Sequence, residues 1–232
     1  MQSLTPDFVF SFYYRHMLSP AILAAASRGA YNMHGSLLPK YRGRAPVNWA
    51  VLHGELDTGA TLHRMAAKPD AGGIVDQMAV PILPDDSAID VFRKVTVASE
   101  LVLDRALPEL MEGTAKETPQ DLAKGSYLGG RKPADGRIDW SRGAESIHNL
   151  VRAVAPPYPG AFTELAGHQL TIHRTRVLEG VAAPQAPRLE VRDDAVVIHC
   201  ADGGRLQVLE AALDGIVAAP PLLLKPFGSR PL

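Results

Sequence analysis

Sulfur chemistry is almost closed to this chain. Its 232 residues include one cysteine, Cys200, so no internal disulfide can form and no thiolate cluster can hold a metal. That usage fits a reducing cytoplasm. Charge is balanced as well: 24 Lys and Arg against 25 Asp and Glu leave a net charge of −1, without the basic stripe of a dedicated nucleic-acid binder. No apolar run approaches a membrane span, and residues 1–7 lack the basic start and long apolar core of a signal peptide. The dinucleotide fingerprint Gly-x-Gly-x-x-Gly is absent. His53, His63, His148, His168, His173 and His199 fall without metal-ligand spacing, which argues against zinc. What is left is an ordinary globular composition, 46% hydrophobic, with chain enough for one or two domains.

The stretch from Ala30 to Pro46 organises the rest. It starts apolar, places Asn32 and His34 on alternate positions, and passes into a loop punctuated by Gly35, Pro39, Gly43 and Pro46. If Tyr31 to His34 ends a strand, period-two geometry sends Asn32 and His34 to one face. Before it, Asp7 to Phe12 reads as a buried strand. Ser19, Pro20 and Ala21 to Arg28, closed by Gly29, read as a capped helix. After it come a short helix over Val47 to His53, strands over Thr58 to Met65 and Ile74 to Ile82, and a long helix capped by Asp86 or Ser87 and ended by Gly113. Its apolar face comprises Ile89, Phe92, Val95, Val102, Leu103, Ala106 and Leu110.

The polar, glycine-rich segment from Thr114 to Pro133 reads as a passage between domains. The boundaries expected are a catalytic domain over 1–120, a linker over 121–143 and a β domain over 144–232. The last opens with a helix over Ala144 to Ala155, with Ile147, Leu150, Val151 and Val154 inward. Five short strands follow: Ala161 to Leu165, Gln169 to Leu178, Arg188 to Arg192, Ala195 to Cys200 and Leu206 to Ala211. Strands at this spacing suggest a small barrel or sandwich.

Three side chains suggest chemistry. An imidazole such as His34 trades protons near neutral pH, and a carboxylate such as Asp70 beside it favours its charged form. An amide such as Asn32 can donate to an oxyanion as a tetrahedral centre forms at a carbonyl. Together they suit acyl-type transfer to an amine, with no serine or cysteine nucleophile. Spacing alone does not separate this from a satisfied structural histidine–asparagine pair. His63 and Arg64, on the next strand, are read equally as substrate contacts or as structure. Lys40, Arg42, Arg44 and Arg131 suit phosphates or carboxylates, or else form a solvated rim.

Asn32 to Gly43, with Ser-Leu-Leu-Pro and Arg-Gly inside it, followed by Asp70-Ala71-Gly72, closely resembles the signature of the folate-dependent formyltransferases. Phe10 to His16, Arg42 to Trp49 and Leu62 to Met65 are most similar to the branch that formylates UDP-4-amino-4-deoxy-L-arabinose as one half of bifunctional polymyxin-resistance proteins. Methionyl-tRNA formyltransferases share the signature more loosely. The resemblance runs from about Asp7 to about Phe162. It implies a Rossmann-like α/β sheet, parallel and lacking its N-terminal strands, with a small OB-like β-barrel behind it. It also implies 10-formyltetrahydrofolate as donor, and a UDP-amino sugar or, alternatively, charged tRNA as acceptor. His34 is then the acid/base, Asn32 steadies the tetrahedral centre, and Asp70 raises the pKa of His34. His16, Met17, Leu18, Arg44, Ala66, Ala67, Lys68, Pro69 and Asp70 match the donor pocket. Family members carry a leading stretch ahead of the first strand seen here and, in the bifunctional proteins, a second half behind. A truncated, inactive copy is therefore a further reading.

Overall fold

The strand–helix–strand start read from the sequence forms, but its helix is short. The computed structural model describes residues 5–14 and 16–232, so Arg15, within the Phe10 to His16 match, and residues 1–4 lie outside the described residues. Strand β1 is Phe8–Phe12, helix α1 Pro20–Ala24 and strand β2 Gly29–His34. Ser19 caps α1 by accepting from Ile22 N at 3.4 Å. The helix stops well before Gly29 because Ser27 N and Arg28 N donate to the carbonyls of Pro6 and Asp7 at 3.1 and 2.8 Å. Pairing with the segment leading into β1 thus overrides local helix propensity, and Gly29, at φ 133°, opens β2 instead of closing a helix.

Strand β3 (Arg42–Gly43), helix α2 (Pro46–Leu52), strands β4 (Asp57–Arg64) and β5 (Ile74–Pro81), helix α3 (Ala88–Glu112) and strand β6 (Tyr127–Leu128) follow. The main sheet has the order β1-β2-β4-β5. The parallel character expected holds for β1 with β2, whose sixteen-residue connection, 13–28, is long enough for a crossover. Beyond β2 the sheet is mixed, since β4 and β5 both pair antiparallel. Buried Val91, Val95, Ala98, Val102, Ala106 and Leu110 form the inner stripe of α3 at three- and four-residue steps, with Phe92 and Leu103 half-buried beside it. Two-residue β3 and β6 pair in parallel across more than eighty residues of sequence. No helix among the described residues is long and apolar enough to cross a membrane.

Contacts divide the chain into two compact units: residues up to Ala50 with Leu56–Ile82 and Asp90–Gly130, and Val51–Glu55 with Leu83–Ile89 and Arg131–Leu232. In the second, helix α4 (Ala144–Ala153) precedes strands β7 (Ala161–Leu165), β8 (His168–Leu178), β9 (Arg188–Val191), β10 (Val196–His199), β11 (Arg205–Leu213) and β12 (Ile216–Ala218). Helix α5 (Pro220–Leu224) and strand β13 (Arg230–Pro231) close the chain. Seven strands make one antiparallel sheet, curled as a half-barrel, in the order β13-β9-β10-β11-β8-β7, with β12 also on β11. Ile147 and Val151 of α4 bury against Ile172, Ile198, Leu206 and Leu224 in its core.

Gly143 at the start of α4 has no side chain to cap the helix, and Asp202 does so from a distant turn. Its Oδ1 and Oδ2 accept from Ala144 N at 3.2 and 3.1 Å, and Oδ1 also accepts from Gly204 N at 3.0 Å. A carboxylate there also complements the helix dipole. Asp202→Ala is expected to lower unfolding free energy by about 1–2 kcal/mol in urea melts, and Asp202→Asn by less.

Candidate active site

The polar side chains at the end of β2 meet partners from β4. Asn32 and His34 share a face by alternation, and the antiparallel register sets His63 opposite Asn32 and Thr61 opposite His34. Asn32 Nδ2 lies 3.3 Å from His63 Nε2. The two histidine rings stand nearly edge to face, 6.5 Å between centroids. Thr61 Oγ1 donates to Ser36 O at 2.6 Å and accepts from Leu38 N at 3.2 Å, so β4 also pins the loop that follows His34. Gln77 of β5 reinforces this by donating to Thr61 Oγ1 and Leu38 O, each at 2.8 Å.

Asp70 arrives from the connection between β4 and β5, which folds back over this face. Gln120 holds the turn by donating to the carbonyls of Asp70 and Gly72 at 3.0 and 2.7 Å. Gly72 is needed because a Cβ there would run into the Arg64 backbone carbonyl. Asp70 Oδ2 accepts from Gly43 N at 2.8 Å, tying the two loops together. Its Oδ1 faces two ring nitrogens, His34 Nδ1 at 3.7 Å and His63 Nε2 at 3.6 Å. His34 Nε2 donates to the Tyr41 carbonyl at 2.8 Å, since a carbonyl can only accept. Proton uptake by His34 therefore falls to Nδ1, the nitrogen that faces Asp70.

Burial pushes the His34 pKa below the ordinary histidine value; the Asp70 charge and the Tyr41 carbonyl pull it up, and burial wins. The carboxylate thus acts in the direction expected from the sequence, but the net shift is the opposite. Burial would raise Asp70, yet His63, His34 and the Gly43 amide together hold it below the usual carboxylate range. A neutral imidazole beside an ionised carboxylate is the state in which a base can accept a proton and have its new charge stabilised.

The structure brings Asn32, His34 and Asp70 together and adds His63, which is 1% exposed. The sequence placed His63 on a strand near the site, as a substrate contact or as structure; the pairing that sets it beside Asn32 was not legible. His16 and Met17 are exposed and Leu18 half-buried, in the loop after β1. Because β1 and β2 run in parallel, that loop leaves the sheet at the same end as the loop after His34. Ala66, Ala67 and Lys68 are exposed and Pro69 half-buried in the turn that carries Asp70. Arg44 is exposed, and its amide donates to Leu128 O at 2.9 Å. No hydrogen bond or ion pair among the described residues ties His16, Met17, Leu18 or Arg44 to the central cluster. Arg42, between Tyr41 and Gly43, is 6% exposed, and its Nε and Nη1 have no partner among the described residues.

The His34 ring is expected to titrate below about pH 6.5 in an NMR titration, and Asp70→Asn to lower the midpoint further by removing the carboxylate's pull. The folded value lies below the unfolded one, so the stability linked to His34 is present above about pH 6.5 and is lost as pH falls through the folded value. A midpoint unmoved by Asp70→Asn would count against the pairing.

Two family models match the chain: Formyl transferase over residues 1–107, and Formyl transferase, C-terminal domain, over residues 131–220. Among solved structures, an N-formyltransferase from Helicobacter canadensis, crystallised with folinic acid and dTDP-3-aminofucose, is 21% identical. It aligns at TM-score 0.73 over 86% of this chain and 72% of its own. HypX from Aquifex aeolicus, in complex with tetrahydrofolic acid, is 21% identical, with TM-score 0.71 over 96% of this chain and 39% of its own. A 4-N formyltransferase from Francisella tularensis, also 21% identical, gives TM-score 0.61 over 67% of this chain and 64% of its own. At this identity the structures speak for the fold. The two sequence models speak for descent, and with the Asn32, His34 and Asp70 cluster they place this chain in the folate-dependent formyl transferase family.

Proposed function

We propose that this protein transfers a formyl group from 10-formyltetrahydrofolate to the primary amine of a nucleotide-linked amino sugar. The observation that carries the reading is the meeting of an amide, a neutral imidazole and an ionised carboxylate at Asn32, His34 and Asp70. The folate co-substrate supplies a formyl carbonyl on a nitrogen that can leave. Asn32 fits the role of donor to the oxygen of that carbonyl, since among the described residues one of its two amide hydrogens is committed, to His63.

His34 Nδ1 takes the proton that the acceptor amine loses as its nitrogen bonds to the formyl carbon. Asn32 donates to the oxygen on which negative charge develops. Asp70 stabilises the imidazolium through Oδ1. His34 then returns the proton to the departing folate nitrogen as the old C–N bond breaks, leaving a formamide and tetrahydrofolate. The exposed Ala66 to Lys68 turn and the loop from His16 to Leu18 are the surfaces assigned to the donor.

Three features support an amino-sugar nucleotide as the acceptor. The segments 10–16, 42–49 and 62–65 resemble the amino-arabinose branch. Arg42 and Arg44 supply guanidinium groups suited to a diphosphate. The Helicobacter canadensis enzyme was crystallised with such a nucleotide sugar. Catalysis is assigned to residues 1–120, with 121–143 as linker and 144–232 as the OB-like domain. A reducing cytoplasm is the setting in which buried Cys200, pushed up to about 12 by burial, stays an inert thiol.

In an assay with radiolabelled donor, His34→Ala is expected to lower formyl transfer by about 10²–10⁴-fold while the melt stays cooperative. Undiminished activity would remove His34 as the base. Offered UDP-amino-arabinose and charged initiator tRNA side by side, the protein should label the sugar; label in tRNA alone would overturn the acceptor. Folinic acid, a stable donor analogue, should raise the melting temperature.

A further inference from the structure

We infer that His63 is a positioning residue that fixes which way the Asn32 amide points, and so where the oxyanion donor lies. The chain of constraint begins at Arg64, whose guanidinium is held by Glu117 at 2.6 Å and by the Tyr31 hydroxyl at 2.7 Å, and which lies over the Tyr31 ring. The Arg64 carbonyl faces His63 Nδ1 at 2.9 Å. A carbonyl can only accept, so Nδ1 carries the hydrogen, and in the neutral ring Nε2 is an acceptor. Asp70 Oδ1 lies 3.6 Å from Nε2, beyond hydrogen-bond distance, and the nearer group is Asn32 Nδ2 at 3.3 Å; Nε2 takes its hydrogen bond, which puts the NH₂ group on the His63 side and Asn32 Oδ1 on the other. The second Nδ2 hydrogen is left for a ligand oxygen at a defined place.

With the other tautomer, Nε2 would donate and draw Asn32 Oδ1 towards itself. The amide would turn over, and a carbonyl oxygen would stand where the donor hydrogen had been, repelling a developing oxyanion. His63 is 1% exposed and sits directly across the strand pair from the half-buried Asn32, so the ring has no free solvent to satisfy the alternative arrangement. The family signature that points to Asn32, His34 and Asp70 does not include this position.

The inference rests on the formyl-transfer reading for its catalytic consequence but not for its geometry, and the two are tested separately. In the ligand-free protein, ¹⁵N NMR of labelled histidine should place the hydrogen of His63 on Nδ1 and that of His34 on Nε2. A hydrogen on His63 Nε2 would overturn the proposal whatever the activity. In the formyl-transfer assay, His63→Leu, which removes the acceptor, should lower kcat by about tenfold or more with KM values within about twofold. His63→Gln, which keeps an acceptor oxygen, should recover part of that loss. In an Asn32→Ala background His63→Leu should cost little more, because the group it orients is already gone. Fully additive losses, or an unchanged kcat in a well-folded His63→Leu, would overturn the proposal. Absence of transfer by the wild-type protein, with His63 protonated on Nδ1, would refute the functional reading and leave the positioning intact.

Discussion

The antiparallel pairing of β2 with β4 is the constraint on which the site depends. It sets Asn32 against His63 and His34 against Thr61, so one strand supplies the polar pair and its neighbour supplies both its partner and the anchor for the loop behind it. Side chains alternate along a strand. A slip of one residue in this register would send His63 and Thr61 to the opposite face, leaving Asn32 and His34 without either contact. The hydrophobic residues between them guard against that slip, since Leu62 on β4 and Met33 on β2 are buried where the polar residues would otherwise land. Core packing and site geometry are thus the same fact seen from two faces of one sheet.

Electrostatics at the site is a contest between solvent exclusion and a single carboxylate. Withdrawal from water disfavours charge on His34 and on Asp70 alike, and each favours charge on the other. The carboxylate keeps its charge because a backbone amide and two rings attend it, whereas for the more deeply buried imidazole the carboxylate at 3.7 Å and the Tyr41 carbonyl at 2.8 Å do not offset the loss of water. The unequal outcome, neutral ring and ionised acid, is what proton transfer at a carbonyl centre requires.

Much of this was legible in the sequence, for reasons that can be named. Period-two alternation carried the strands around Asn32 and His34, and the three- and four-residue spacing carried α3 and α4, because these elements bury one face each. The resemblance, not the spacing, tied Asp70 to His34, since no local rule connects residues thirty-six positions apart in sequence. What escaped was set by distant partners. Helix α1 ends early because residues 27 and 28 pair with the segment before β1. Strands β3, β6, β12 and β13 are two or three residues long, too short for any periodicity. The reversal of β4 against β2 depends on how the chain turns after α2. His63 was read from the sequence equally as a substrate contact or as structure, and it is that reversal that places it beside Asn32.

The bonds converging on Asp70 have a dynamic meaning. Its Oδ2 holds the amide of Gly43, its carbonyl is held by Gln120, and Tyr41, two residues before Gly43, holds His34. The loop after β2 and the loop after β4 are therefore sutured through one side chain, and neither lifts from the sheet without releasing the other. Local opening there is a single cooperative event rather than two independent ones. Whatever wedges one loop aside also loosens the carboxylate that faces His34.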